Sequence, residues 1–106
     1  MLPIEKLEAV HRRHQEIEQL LCEPATLSEP ARLLSLNRER AQIQPVVAAF
    51  SEWRALDRQI REDQEALDDP ELGPMVREEL PGLEEKRTAL EKQLRILLLP
   101  QDPSDD

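Results

Sequence analysis

The fold is decided by the segment Leu67-Asp68-Asp69-Pro70-Glu71-Leu72, which separates two stretches with apolar residues at helical spacing. Asp followed by Pro is typical of a helix start, because the Asp side chain caps free N–H groups and Pro suits the first helical position. We therefore predict that a helix, helix D, begins at Pro70 with Asp69 as its cap and runs to about Leu98.

On both sides of this turn, apolar residues recur at seven-residue intervals, with further apolar residues between them. They are Phe50, Trp53, Leu56, Ile60 and Leu67 in helix C before the turn, and Val76, Leu80, Leu83, Leu90, Leu94 and Leu97 in helix D after it. Arg87 interrupts the second series. Heptads joined by a tight turn predict a coiled-coil-like antiparallel helical hairpin. The same heptads also suit an interface between copies of the chain, but the tight turn favours the hairpin.

Residues before the hairpin predict one more helix and a bend. Helix A starts near Pro3, ends by Glu23 and packs along the hairpin through residues at steps of three and four, namely Leu7, Val10, His14, Ile17 and Leu21. A short connection at Ala25–Ser28 follows, with Ser28 as a cap. Helix B runs from about Glu29 to Gln44, with Leu33, Leu36 and Ile43 inward. Pro45 predicts a kink, yet the apolar rhythm resumes. Helices B and C are therefore predicted to be one long bent helix, the second helix of an all-α fold.

Two dipeptides and the last residues depart from helical patterns. Gly73-Pro74 and Pro81-Gly82 disfavour regular helix and predict bending or local unwinding of helix D. Residues 99–106 are polar and contain two prolines, which is typical of a linker. We expect a helical domain over residues 1–98 and a linker over 99–106 that leads to a further region.

Composition limits the classes of function. The net charge of -9 argues against nucleic-acid binding by global attraction, since phosphate contacts need clustered Lys and Arg. Cys22 is the single cysteine, so no intramolecular disulfide forms, which fits a reducing compartment. Apolar runs such as residues 96–99 are too short to span a membrane. We expect a cytoplasmic protein.

Catalytic and metal-binding residues are scarce. His11 and His14 share helix A, and Cys22 lies more than two turns beyond them, so no nucleophile, base and orienting group are predicted to converge. A structural zinc site needs four ligands, and only this one histidine pair has ligand spacing. We interpret His14 as a core residue and His11 as solvated, and we expect no catalytic, cofactor or metal site.

Arg54, Arg58 and Arg61 are spaced by four and three, so they share one face of helix C. This strip is the candidate partner-facing site. The alternative is a solvated face on which Arg58 pairs with Glu62 and Arg61 with Glu65, each pair contributing only about 0.3–0.5 kcal/mol.

Two segments resemble the N-terminal helical domain of bacterial class I peptide chain release factors, most of all the release factor 1 branch. The first is the turn 67–72 with Met75 and the Glu78-Glu79 pair. The second runs from Ala89-Leu90-Glu91-Lys92-Gln93-Leu94 into the ending Leu-Leu-Pro-x-Asp-Pro-x-Asp of residues 98–105. That ending resembles the junction where these factors leave their helical domain for a β-rich one.

The resemblance implies a role in translation termination. The family hydrolyses peptidyl-tRNA through a Gly-Gly-Gln loop and reads stop codons through a separate Pro-x-Thr-type tripeptide. No two glycines are adjacent here, and we expect neither motif, so no catalytic residue is carried over. The implied partners are the ribosome, at the stalk base of the large subunit, and the recycling GTPase factor. Two other hypotheses stay open: a tRNA-binding helical arm and a self-associating coiled-coil scaffold.

Overall fold

A computed structural model describes residues 2–99 of the chain. Within this range every regular element is helical, which confirms the all-α fold class. The elements are α1 (Ile4–Leu20), α2 (Pro24–Leu27), α3 (Pro30–Glu65), a 3-10 helix (Ala66–Asp68) and α4 (Gly73–Leu97). None of the described helices is long and apolar enough to cross a membrane. The chain divides into two compact units, the first ending at Ala48 and the second starting at Ala49.

The first unit joins α1 to the beginning of α3. Helix A is confirmed as α1, and its apolar stripe is buried, with Leu7 at 1% and Ile17 at 0% exposure. Arg13 donates two hydrogen bonds to the Glu39 carboxylate of α3. This contact holds the pKa of Glu39 below its usual value. The Arg13–Glu39 pair therefore joins α1 to α3, next to the buried apolar stripe of α1.

The predicted connection at Ala25–Ser28 is instead part of a one-turn helix, α2, that starts at Pro24. Pro24 has no N–H, and a first helical position does not need one. The prediction that Ser28 caps the next helix is also wrong, because its hydroxyl donates to the carbonyl oxygen of Ala25 at 2.9 Å. Ser28 therefore closes α2, and Pro30 begins α3.

The long helix α3 continues through Pro45, as predicted for helices B and C. Proline removes one backbone donor and crowds the preceding turn, which costs an isolated helix about 3 kcal/mol. Val46 and Val47, directly after the proline, are buried to 7% exposure. Packing of these residues holds the backbone helical at a position where local preference opposes it.

The second unit is the antiparallel hairpin that the heptads predict, formed by the end of α3, the 3-10 helix and α4. Ile60 and Leu94 are fully buried, and Val76, Leu80 and Leu90 are buried as well. We call the facing residues of α3 and α4 the hairpin seam. The heptad residues thus pack against each other within one chain. The prediction that helix A packs along this hairpin stays a prediction.

The turn of the hairpin differs from its prediction. Helix α4 starts at Gly73 and not at Pro70. Asp69 does act as a cap, since its Oδ1 accepts hydrogen bonds from the amides of Leu72 (3.1 Å) and Glu71 (2.8 Å), which lower the pKa of Asp69. These amides belong to the turn and not to α4, so the Asp-Pro signal marks a tight turn that precedes the helix.

The two dipeptides predicted to disturb helix D do not unwind it. Gly73 and Pro74 are its first two residues, where a missing N–H is harmless. Pro81 and Gly82 lie inside α4, which is helical without a break from Gly73 to Leu97. Leu80, next to Pro81, is buried and anchors this part of the helix. The predicted linker is described only at Leu99, and residues 100–106 lie outside the described residues.

The two glycines of α4 make a matched pair for testing the turn. A Cβ at Gly73 would lie 2.6 Å from the backbone oxygen of Leu67, whereas a Cβ at Gly82 would meet nothing within 4 Å. We expect Gly73→Ala to lower the free energy of unfolding by about 1–3 kcal/mol through overpacking. Gly82→Ala should raise it by about 0.5–1 kcal/mol through helix propensity. Urea denaturation followed by circular dichroism measures both, and equal effects would contradict the role of Gly73.

Candidate functional site

The three arginines predicted to face a partner form an exposed strip on α3 in the second unit. We call Arg54, Arg58 and Arg61 the arginine strip. The Arg54 guanidinium lies over the ring of Phe50, 5.1 Å from its centroid, a cation–π contact that orients the side chain. Arg61 is 75% exposed and pairs with Asp57 at 3.1 Å, not with Glu65 as the alternative supposed. The strip therefore presents positive charge from a helix that is itself held in the hairpin.

A charged pair crosses the hairpin seam next to this strip. Arg87 Nη1 donates to Asp57 Oδ1 at 2.8 Å, and both side chains are largely buried, at 29% and 16% exposure. Asp57 therefore joins Arg87 of α4 to Arg61 of the strip. The pairing explains why Arg87 interrupts the heptad. The interruption of the heptad at Arg87 indicates a charged contact in the seam. It does not indicate which acidic residue lies opposite Arg87.

Trp53 adds a second polar contact across the seam. Its ring stacks on that of Phe50 with centroids 6.1 Å apart, and its Nε1–H donates to Glu91 of α4 at 3.2 Å. A partly buried indole gains from such a partner, because its N–H would otherwise lose the hydrogen bond to water. The heptad spacing predicts Trp53 in the seam but does not indicate Glu91 as its partner.

Asp63 is a buried carboxylate that sequence analysis missed. It lies between Ile60 and Leu67 in the apolar series of α3 and is 5% exposed. Gln59 donates to its Oδ1 at 2.9 Å. The absence of an apolar residue between Ile60 and Leu67 is the one feature of the sequence that points to a buried polar residue here. Such a gap is equally typical of an exposed position.

The turn end of the hairpin is acidic. Its exposed acidic residues are Glu62, Glu65, Asp68, Asp69, Glu71, Glu78 and Glu79. Two apolar side chains, Leu72 (45%) and Met75 (59%), are exposed among them. Negative charges outnumber the exposed Arg77 at this end, and an excess of negative charge repels phosphate. The hairpin thus carries opposite charges on two parts of its surface, the acidic turn and the arginine strip.

The residues considered for catalysis or metal binding lie in the first unit. His14 is buried, as predicted, with Nε2 2.6 Å from Gln44 Oε1 and Nδ1 2.9 Å from Glu18. The prediction that His11 is solvated is wrong, since it is half-buried and its Nδ1 has no hydrogen-bond partner among the described residues. Cys22 is exposed. Within residues 2–99, no group of three or more His, Cys, Asp and Glu side chains is placed to hold a metal ion.

The expectation that the chain lacks a Pro-x-Thr triplet is wrong, because residues 24–26 are Pro-Ala-Thr. They form α2, and Thr26 is fully buried. Its hydroxyl oxygen has no hydrogen-bond partner among the described residues and does not reach the surface. Thr26 is therefore part of the core of the first unit and cannot contact a nucleotide from its place in this structure, although Pro24 and Ala25 are exposed.

The antiparallel hairpin and its tight turn define an all-α helical domain, and the comparison with known proteins identifies its family. The PCRF domain family matches residues 10–106, so the chain belongs to that family. Over 105 residues the chain is 56% identical to peptide chain release factor 1 of Sorangium cellulosum (strain So ce56). The match covers 99% of this chain and 29% of that relative, so the chain spans less than a third of the relative's length. The resemblance stated from the sequence is confirmed.

The Asp57 pairs allow a test of the hairpin seam. We expect Asp57→Asn to lower the free energy of unfolding by about 1–3 kcal/mol, because it leaves the partly buried Arg87 without its charged partner. The matched control is Asp68→Asn, which removes the same charge from an exposed residue and should change stability by less than about 0.5 kcal/mol. Chemical denaturation measures both. Equal losses would mean that net charge, and not the seam pair, stabilises the hairpin.

Proposed function

We propose that this chain is the helical docking domain of a peptide chain release factor and acts on the terminating ribosome in the cytoplasm. The observation that supports this proposal most strongly is the PCRF match over residues 10–106, together with the 56% identity to a release factor 1. In this proposal residues 1–98 are the docking domain, and residues 99–106 lead to the regions that hydrolyse peptidyl-tRNA and read the stop codon. The chain itself supplies no catalytic residue.

The docking site that we propose is the stalk base of the large ribosomal subunit, with the recycling GTPase factor as a second partner. The net charge of -9 means that the domain is not drawn to RNA as a whole. Attraction to the ribosome must then come from a local surface, and the arginine strip is such a surface in the second unit. Within the strip, Arg54 lies over the ring of Phe50 and Arg61 pairs with Asp57, and these contacts orient both side chains. Side chains held in place lose less conformational entropy when they bind.

Ribosome binding by the arginine strip is tested by co-sedimentation of the 106-residue chain with ribosomes. We expect saturable binding by the native chain. The triple variant Arg54→Gln, Arg58→Gln and Arg61→Gln should bind about tenfold more weakly, equal to about 1.4 kcal/mol. The matched control is the triple variant Arg12→Gln, Arg32→Gln and Arg38→Gln, which removes the same charge from exposed residues of the first unit and should bind like the native chain.

Several outcomes separate the hypotheses. If both triple variants lose affinity equally, the strip has no special role and net charge decides binding. If the folded native chain does not sediment with ribosomes at all, docking by this domain alone is contradicted. Retention of free tRNA by the native chain at low salt, with loss in the strip variant, would favour a tRNA-binding arm instead. A stable oligomer at micromolar concentration would favour the scaffold hypothesis.

A further inference from the structure

The three guanidinium groups of the arginine strip differ in their contacts. Arg61 pairs with Asp57 at 3.1 Å. Arg54 lies over the Phe50 ring, and this contact is made to a π face and not to an oxygen acceptor. Among residues 2–99, neither Arg54 nor Arg58 forms an ion pair. Two of the three positive charges therefore have no carboxylate partner in this part of the chain.

Arg54 and Arg58 share one face of an unbroken stretch of α3. Four residues of α-helix separate them by about 6 Å along the axis, and both side chains are exposed. A guanidinium presents several N–H donors in a planar fork that matches two oxygens of a phosphate group. Because a nucleic-acid strand carries one phosphate for every nucleotide, two arginines one helical turn apart can each reach a phosphate of the same strand.

The surface around the strip offers no exposed large apolar side chain. Protein partners are usually held by apolar or aromatic side chains buried at the centre of the interface. On α3 from residue 49 to residue 65, Phe50 is 1% exposed and Trp53 packs in the hairpin seam. The large apolar side chains that are exposed within residues 2–99 lie elsewhere, at Leu27, Leu34, Leu72, Met75, Ile96 and Leu99. A charged surface without an apolar anchor fits a phosphate backbone better than an acidic protein.

The acidic turn distinguishes the two ends of the strip. Residues 62–79 contain eight Asp and Glu residues and one Arg. Arg61 lies roughly 7.5 Å along the helix from Ala66, where the 3-10 helix begins, whereas Arg54 lies roughly 18 Å away. The Debye length is about 10 Å at 0.1 M salt. The negative charge of the turn therefore weakens the attraction of a phosphate to Arg61 more than to Arg54.

We propose that Arg54 and Arg58 bind the phosphodiester backbone of an RNA strand, while Asp57 retains Arg61 and the acidic turn points away from the RNA. This inference deepens the proposed function and rests on it for the choice of RNA as the polyanion. Two contacts in a chain of net charge -9 give binding weaker than about 0.1 mM. The binding has no base preference, because phosphate contacts carry no sequence information.

The test is NMR titration of the ¹⁵N-labelled 106-residue chain with a short RNA duplex in about 0.1 M salt. We expect the amide signals of residues 51–61 to shift most. The double variant Arg54→Gln and Arg58→Gln should bind at least about tenfold more weakly. The matched control is the double variant Arg77→Gln and Arg95→Gln, which removes the same charge from exposed residues of α4 and should lose less than about threefold. Equal losses in the two double variants would overturn the proposal.

Salt dependence gives a second readout that counts the phosphate contacts. Each contact contributes about -0.9 to the slope of log affinity against log salt concentration, so the native chain should show a slope of roughly -2. The double variant Arg54→Gln and Arg58→Gln should show a slope near zero. Arg61→Gln should cost less affinity than either Arg54→Gln or Arg58→Gln alone. An equal loss in all three single variants would refute the assignment of the site to Arg54 and Arg58.

Two further probes identify the kind of polyanion. Poly-glutamate bound through the strip as tightly as the duplex would mean that the strip meets an acidic protein. A tRNA bound far more tightly than the duplex would contradict binding to the backbone alone.

This inference and the proposed function can fail separately. If the strip binds the duplex but the chain does not sediment with ribosomes, the ribosomal role is contradicted and the RNA contact stands. If ribosome binding depends on the strip but the duplex is not bound, docking stands and the RNA contact is refuted.

Discussion

The close approach of α4 to the 3-10 helix at the turn constrains the rest of the second unit. Gly73 begins α4 so near the backbone oxygen of Leu67 that a Cβ would lie 2.6 Å from it. Asp69 fixes the intervening turn by accepting hydrogen bonds from the amides of Leu72 and Glu71. A turn of defined length sets which residue of α3 faces which residue of α4, and this register brings every contact of the hairpin seam together.

The seam combines apolar burial with a few polar contacts, and the two have different roles. Full burial of Ile60 and Leu94 stabilises the hairpin by about 1.5–3 kcal/mol for each side chain. This contribution changes little when the two helices shift slightly against each other. The Asp57–Arg87 pair contributes less net stability, since both groups lose water on burial. It does select the register, because a shift by one turn would leave both charges partly buried and unpaired. Arg61 of the arginine strip pairs with the same Asp57, so the register also sets where the strip is presented.

Much of the fold and part of the candidate site follow from the sequence. Spacing identified α1 and the continuation of α3 through Pro45, because apolar periodicity reports directly on which face of a helix is buried. The intramolecular packing of the heptads followed from their spacing together with the tight turn between them. The start of α4 at Gly73 and the uninterrupted helix at Pro81 did not follow, since local propensities of Gly and Pro are weaker than the packing around them. The arginine strip was identified from spacing, but the partner of Arg61 was not.

The sequence by itself determined the helical class, the hairpin and the family, because each depends on a pattern within one segment of chain. These patterns are the heptads, the turn, and the ending at residues 98–105 that resembles the release factor family. Only the tertiary structure decided which polar side chains meet. Asp57 and Asp63 look alike in the sequence, yet Asp57 lies opposite an arginine, whereas Asp63 is buried and accepts a hydrogen bond from Gln59 of its own helix. The physical reason is that such pairings depend on the rotation and register of two helices to within a fraction of a turn, which no single segment encodes.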